Sequence, residues 1–375
     1  MKKKILILTS ELTGHGHKSI TNALLSRFEA YKDTVEIVSV NAFEESGIPG
    51  KIMERTYRPC VKYAPPLWSL FFKVTSKYAE FCSKVVSVST SKKFIKLFDE
   101  VKPDLILSVH PGFVGSILNI LEKNKIDIPL YVVVADLVTF SKLWVDARAD
   151  MTICPSEDAT DTMREWGIAD ERLFTTGFPV RDTFSTPIAS IEEISMGIKH
   201  EKIRFLVVNG SEKPKRMTLI IETLLSRYNC RVTVICGRDK KLQQSLQKEL
   251  KDVSPDNLEI LGYSTELNRH FVENDILITR CGPNTIMEAV SCLIPVVSMG
   301  AIPGQEAENP AFLEKNGLGL ATSDTEDIFR KVDMLLADDR KLMFEIRCNQ
   351  FNYKGRNAAE KIVEFLVDAL QVESV

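Results

Sequence analysis

Two histidines stand in a short glycine loop, Gly14-His15-Gly16-His17, directly after the apolar run Ile5-Leu6-Ile7-Leu8. A glycine-rich turn from strand to helix lets main chain approach a ligand and aims free helix-start amides at it. An imidazole placed there can take a proton from a reacting hydroxyl. The loop is neither a phosphate-binding GxxxxGK[ST] nor a full GxGxxG, since Ser19 stands where the third glycine would fall. A capping or buried role for His15 is as good as a functional one, whereas His17 opens the helix and is the better chemical candidate. His110 and Asp136 end two further apolar runs, and in an open parallel sheet that edge binds ligands. Asp136 could orient the His17 imidazole or be the base itself. His17 is preferred as base because a helix N-terminus keeps imidazole neutral, while a carboxylate is too weak unless burial raises its pKa.

A second chemistry lies in Thr279-Arg280-Cys281-Gly282-Pro283-Asn284-Thr285-Ile286-Met287-Glu288. It predicts a strand end, a turn and a new helix with Pro283 at the first helical position, where a missing N–H costs nothing. The amides of Asn284 and Thr285 would face an anion such as a nucleotide diphosphate. Glu288, expected on the first turn, could accept from two adjacent ribose hydroxyls. A merely well-capped helix explains Glu288 but not Gln305, Glu306 and Asn309 after the next run, a set suited to reading sugar hydroxyls.

A third signal is physical rather than chemical. Residues 51–98 hold ten Lys/Arg against two Asp/Glu, in a chain whose net charge is -3. Aromatics interleave with these cations, Trp68, Phe71 and Phe72 beside Lys73, Lys77 and Lys84 among them, and residues 67–84 predict one amphipathic helix. Such a segment lies on an anionic membrane surface rather than spanning it. A buried helix with solvated lysines is the plainer alternative. Nucleic acid is excluded as a partner because no RNA- or DNA-binding motif accompanies the patch.

These residues need a scaffold. Short β-branched runs at 5–9, 35–40, 105–109, 130–134, 205–208, 231–236, 258–261, 276–279 and 295–298 alternate with helical windows such as 18–31, 242–250 and 285–292. That rhythm means parallel sheets with right-handed crossovers. It breaks between 183 and 201, which predicts an α/β protein of two doubly wound, Rossmann-like domains, 1–190 and 191–375, facing a central cleft. The last helical window, 357–370, has no strand after it and is expected to return to the first domain. The length, 375 residues, suits two domains, and 44% hydrophobic with 26% charged residues excludes disordered and multi-span membrane chains. Eight scattered cysteines lack metal-like spacing, so no metal is expected and a reducing cytosol is. The apolar run after Lys2-Lys3-Lys4 is too short for a signal peptide.

The glycine–histidine loop resembles that of monogalactosyldiacylglycerol synthases and processive diacylglycerol glucosyltransferases, GT-B glycosyltransferases related to the lipid-I N-acetylglucosaminyltransferase. The likeness continues through His110-Pro111, Ala135-Asp136-Leu137 with Trp144, Gly177-Phe178-Pro179-Val180-Arg181 and Cys236-Gly237-Arg238. It is densest at residues 279–289 and at Ile302-Pro303-Gly304-Gln305-Glu306-Ala307-Glu308-Asn309. It implies a diphosphate at Gly282, Asn284 and Thr285, ribose at Glu288, donor sugar at Gln305, Glu306 and Asn309, and uracil near Gly262 and Tyr263. Gly14, Gly16 and His110 fall in the acceptor half. The implied activity is inverting hexosyl transfer from UDP-glucose or UDP-galactose to diacylglycerol, with no further cofactor, on the cytoplasmic face of the cell membrane. Two departures stand out: Asn209-Gly210-Ser211 with Lys213, Lys215 and Arg216 replaces a glycine-rich loop, and Ser141 replaces a histidine of plant-type members. A soluble UDP-sugar 2-epimerase or a catalytically silent lipid- or nucleotide-binding relative are the alternatives.

Overall fold

The computed structural model describes residues 2–11, 16–184, 190–196, 201–208, 212–353, 355 and 357–371. The loop residues Gly14 and His15 and the segment Asn209-Gly210-Ser211 lie outside them. The chain divides into two compact units: residues 1–182 with 303–306 and 354–375, and residues 183–302 with 307–353.

The first unit is a six-stranded parallel sheet of β1 (Lys3–Thr9), β2 (Val35–Asn41), β3 (Leu105–Ser108), β4 (Leu130–Val133), β5 (Met151–Cys154) and β6 (Leu173–Thr175), in the order β2-β1-β3-β4-β5-β6. Ile5, Leu6, Ile7 and Leu8 are all fully buried, as a central parallel strand covered on both faces requires. The order reverses between β1 and β3, so the helix start after β1 and the turn after β3 flank the switch point where such sheets bind ligands.

The second unit repeats the plan with β7 (Ile203–Val208), β8 (Cys230–Ile235), β9 (Leu258–Leu261), β10 (Ile276–Thr279), β11 (Val296–Ser298) and β12 (Gly319–Ala321), ordered β12-β11-β10-β7-β8-β9. Its reversal lies between β10 and β7, which sets the turn after β10 at the switch point.

The first unit closes at Asp182 rather than near residue 190. Phe184 already packs in the second unit, its ring 5.5 Å from Phe271 and its carbonyl 3.3 Å from Cys292 Sγ. The final helix, Ala358–Ala369, lies in the first unit because Phe365 packs on Tyr131 and Phe174, at 6.0 and 4.6 Å. Gly177 has φ +101°, and a side chain there would strike the Gly355 main chain at 2.4 Å, so the chain can close at this point only through glycine.

The basic segment differs from the single helix expected at 67–84. Helices Ile48–Tyr63, Pro65–Lys77 and Ala79–Val101 follow one another, with breaks at Ala64 and Tyr78. The cause is burial. Ala79–Val101 turns Ser83, Ser87, Thr90, Phe94 and Phe98 into the core, a seam of i+3/i+4 spacing, whereas Pro65–Lys77 buries no residue fully.

Candidate functional site

Burial and hydrogen bonding define the chemistry of the first unit. His17 opens the helix Gly16–Phe28 and is buried, with Nδ1 2.6 Å from the Val109 carbonyl. A carbonyl only accepts, so Nδ1 carries the hydrogen and Nε2 keeps its lone pair. Desolvation lowers the imidazole pKa to about 4, against the hydrogen bond to Val109, which raises it. The direction is the one expected, but burial causes it rather than the helix terminus. His110 stacks on His17 with ring centres 4.6 Å apart, and its Nδ1 accepts the Gly112 N–H at 3.1 Å. Burial holds it well below the usual histidine range, so it is a neutral capping residue beneath His17.

Asp136 is buried as well, and its two oxygens are separately held. Oδ2 accepts from Trp144 Nε1 at 2.9 Å, and Oδ1 accepts from Gln305 Nε2 at 3.2 Å. Desolvation raises its pKa to about 6, while the bonds from Trp144 and Gln305 oppose the shift and Glu306 adds to it. The preference for His17 as base rested on an unburied carboxylate being too weak, and burial reverses that order. Trp144 is fully buried and its ring lies 6.3 Å from His17, so one indole touches both candidate bases. Ser141 accepts the Leu143 N–H at 3.2 Å and so caps the short turn that carries Trp144.

Two residues in this cluster were not singled out from the sequence. Glu54, buried, accepts from the Ser10 hydroxyl at 2.8 Å, the Glu11 N–H at 2.9 Å and the Asn41 amide at 3.2 Å, tying helix Ile48–Tyr63 to the ends of β1 and β2. Its signal was being one of two acids among ten cations. Tyr57 donates to Gln305 Oε1 at 3.4 Å and sets its ring edge-on to Trp68, 4.9 Å away. A lone tyrosine among aromatics gave no signal.

In the second unit, helix Pro283–Ser291 follows β10 with Gly282 at its N-cap, a residue with no side chain to cap it. The half-buried Asn284 and Thr285 form its first turn. Glu288 is buried but stands on the second turn, not the first, because the helix begins at Pro283. Gln305 and Glu306 pack in the first unit, and Asn309, in the second, donates to the Cys281 carbonyl at 2.9 Å and fixes the chain just before Gly282. Its buried Oδ1 has no hydrogen-bond partner among the described residues. Tyr263 is exposed beneath the Arg238 guanidinium at 5.1 Å, and Gly262 lies against Gln243. A cavity of about 660 Å³ begins at this pair and runs along β8 and β9 toward Arg204 and Arg231 near the opposite strand ends. Arg216 is committed to Glu212, Thr325 and the Ser323 carbonyl, each at 3.0 Å, leaving Lys213 and Lys215 as the exposed cations of that turn.

The three helices of residues 48–101 carry an exposed apolar surface. Of sixteen exposed large hydrophobics among the described residues, eleven lie between Ile52 and Val88. Phe71 is 41% exposed, Trp68 and Phe72 are half-buried, and Lys73, Lys77 and Lys84 are exposed. No helix among the described residues is long and apolar enough to cross a membrane.

Two parallel sheets with ligand-edge turns at both switch points define the class: this is the GT-B fold, two Rossmann-like units in one chain. The chain superposes on the Acinetobacter baumannii MurG structure with TM-score 0.67 at 11% identity, covering 98% of this chain and 100% of that one. The Neisseria meningitidis UDP-GlcNAc 2-epimerase bound to UDP-GlcNAc gives 0.62 at 14%, covering 97% and 100%. Residues 17–180 match the family model of monogalactosyldiacylglycerol (MGDG) synthase, and residues 141–367 that of UDP-N-acetylglucosamine 2-epimerase. A processive diacylglycerol beta-glucosyltransferase of Bacillus cereus is 27% identical over 352 residues, 91% of this chain and 87% of that protein. Through residues 141–367, more than half of its length, the chain belongs to the UDP-N-acetylglucosamine 2-epimerase family, and over residues 17–180 it is similar to the monogalactosyldiacylglycerol synthase family, as its likeness to the processive diacylglycerol beta-glucosyltransferase also shows.

Proposed function

We propose that the protein transfers a hexose from UDP-glucose or UDP-galactose to the hydroxyl of diacylglycerol, with inversion and without a metal, while lying on the anionic inner face of the cell membrane. The observation that carries this reading is the exposed apolar and basic surface of residues 48–101, in the same unit as two buried, desolvated bases. The acceptor oxygen attacks the anomeric carbon, the bond to the UDP oxygen breaks, and the acceptor proton passes to the first unit. Asp136 is the stronger proton acceptor of the two and takes the hydroxyl's single proton, while the neutral His17 ring packs beside Trp144, which donates to Asp136. The uncapped helix start at Gly282, Asn284 and Thr285 stabilises the departing diphosphate through its amides and partial positive charge. Glu288 binds the ribose, and Gly262 with Tyr263 the uracil.

A UDP-sugar 2-epimerase is the second reading, favoured by the family match over residues 141–367. Such an enzyme handles no lipid and leaves the exposed helices unused. The test is a panel of radiolabelled UDP-sugars with diacylglycerol vesicles. Label in the lipid phase is expected; an epimerised nucleotide sugar without lipid product would overturn the proposal.

A further inference from the structure

The helix Pro65–Lys77 has two apolar faces with different surroundings. Leu67, Phe71 and Val74 form an exposed stripe, continued by Tyr78. Around the helix from it, Pro66, Ser69, Leu70 and Lys73 recur at i, i+3, i+4 and i+7 and, with Pro65, face Pro303 across a groove of about 400 Å³. Among the described residues, Lys73 is the only charged one lining it. The turn that supplies Pro303 lies in van der Waals contact with this helix. Gly304, at φ +91°, would set a Cβ 3.4 Å from the Phe72 ring and 3.6 Å from Ser69 Oγ. One residue on, Gln305 donates to Asp136 at 3.2 Å.

We propose that this groove receives an acyl chain of the glycerolipid acceptor while its free hydroxyl reaches Asp136; the proposal rests on the lipid-acceptor reading above. A hydroxyl lifted out of a bilayer drags the upper part of its chains with it, and each methylene exposed to water costs about 0.8 kcal/mol, about fourfold in affinity. An apolar groove that adjoins the exposed stripe through Leu70 and is walled by Pro303, two residues before Gln305, covers those methylenes. The stripe is the continuity that selects a lipid chain over other apolar occupants, since Leu70 is 58% exposed and adjoins both surfaces.

The test is Ser69→Trp, which fills the groove without removing a cation or an apolar group. With a long-chain diacylglycerol in phosphatidylcholine–phosphatidylglycerol vesicles, KM should rise roughly tenfold or more, the equivalent of about two uncovered methylenes. A water-soluble short-chain diacylglycerol, too short to need cover, should keep its kcat/KM, and vesicle binding and UDP affinity should be unchanged. Equal loss on both acceptors, or none on the long-chain one, would overturn the groove assignment. Failure of the wild-type protein to glycosylate either acceptor would instead remove the lipid reading itself. Independently of any variant, a diacylglycerol carrying a diazirine on its acyl chain should label residues 65–73 or Pro303 of the wild-type protein on irradiation. Labelling confined elsewhere overturns the proposal.

Discussion

Replacing Trp144 by Phe tests the proton inventory of the first unit. The indole N–H donates to Asp136 Oδ2 at 2.9 Å, and this bond opposes the desolvation that lifts the carboxyl pKa to about 6. A hydrogen bond to a charged group contributes about 1.5–3 kcal/mol, and one pH unit is about 1.4 kcal/mol, so its loss should raise the Asp136 pKa by about one to two units. The sign follows from the chemistry. Asp136 must be ionised to take the acceptor proton, so activity falls as pH drops through its pKa. The acid limb of kcat/KM is expected near pH 6 in the wild type and near 7–8 in Trp144→Phe, read in the free enzyme with a soluble acceptor. The phenyl ring keeps most of the packing, and the alkaline plateau should change far less than the limb moves. A wild-type limb near pH 4 would assign the base to His17. An unmoved limb with a lower plateau would show that the indole bond does not tune the base, and the argument would fail.

Other consequences are as direct. Glu288→Ala should weaken UDP binding by about 1.5–3 kcal/mol, roughly ten- to a hundredfold by calorimetry, if the buried carboxylate holds ribose hydroxyls. Lys73, Lys77 and Lys84 replaced together by Glu should abolish sedimentation with anionic vesicles, each lost cation removing about 1 kcal/mol and each new acid adding repulsion. UDP affinity should be untouched, and equal vesicle binding would refute the interfacial reading. Acid stability has two opposed parts. His17, lowered from 6.5 to about 4, gives stability that is present above pH 6.5 and lost toward pH 4, up to about 3 kcal/mol. Asp136, raised from 3.8 to about 6, works against folding as pH rises over that range, so Asp136→Asn should make the acid loss steeper in urea titrations at pH 7 and pH 5.

The sequence was most legible where periodicity was strong. The nine strands expected all form, with ends shifted by a residue or two at most, because most are buried apolar runs bounded by turns; the edge strands β2 and β9, each with a single buried residue, still show as short apolar runs. Strands Met151–Cys154, Leu173–Thr175 and Gly319–Ala321 are not among those expected; their segments MTIC, LFT and GLA offer no run of aliphatic residues to mark them. Asp136 and His17 could be named from their places at strand ends, but their proton affinities could not, since those depend on burial. Gln305, Glu306 and Asn309 read together in the sequence because all three polar side chains follow one Ile-Pro-Gly turn. The packing sends Gln305 to Asp136 and Asn309 to Cys281, a divergence that spacing alone cannot reveal.

One dehydrated environment moves the two candidate bases in opposite directions. Burial penalises charge, so it drives imidazolium toward neutral imidazole and carboxylate toward carboxylic acid. The ordinary order, histidine the stronger base by more than two units, is thereby inverted, with Asp136 near 6 and His17 near 4. The fixed Val109 bond then gives His17 a different use. Its Nδ1 hydrogen is committed, so Nε2 can only accept; since a hydroxyl carries one hydrogen and Asp136 takes it, His17 serves the acceptor by packing beside Trp144 rather than by holding that proton. In that arrangement His17→Gln should raise acceptor KM more than it lowers kcat, whereas Asp136→Asn should lower kcat by about 10²–10⁴ at every pH. The opposite split, measured on one soluble acceptor, would return the base to His17 and leave Asp136 as the residue that orients it.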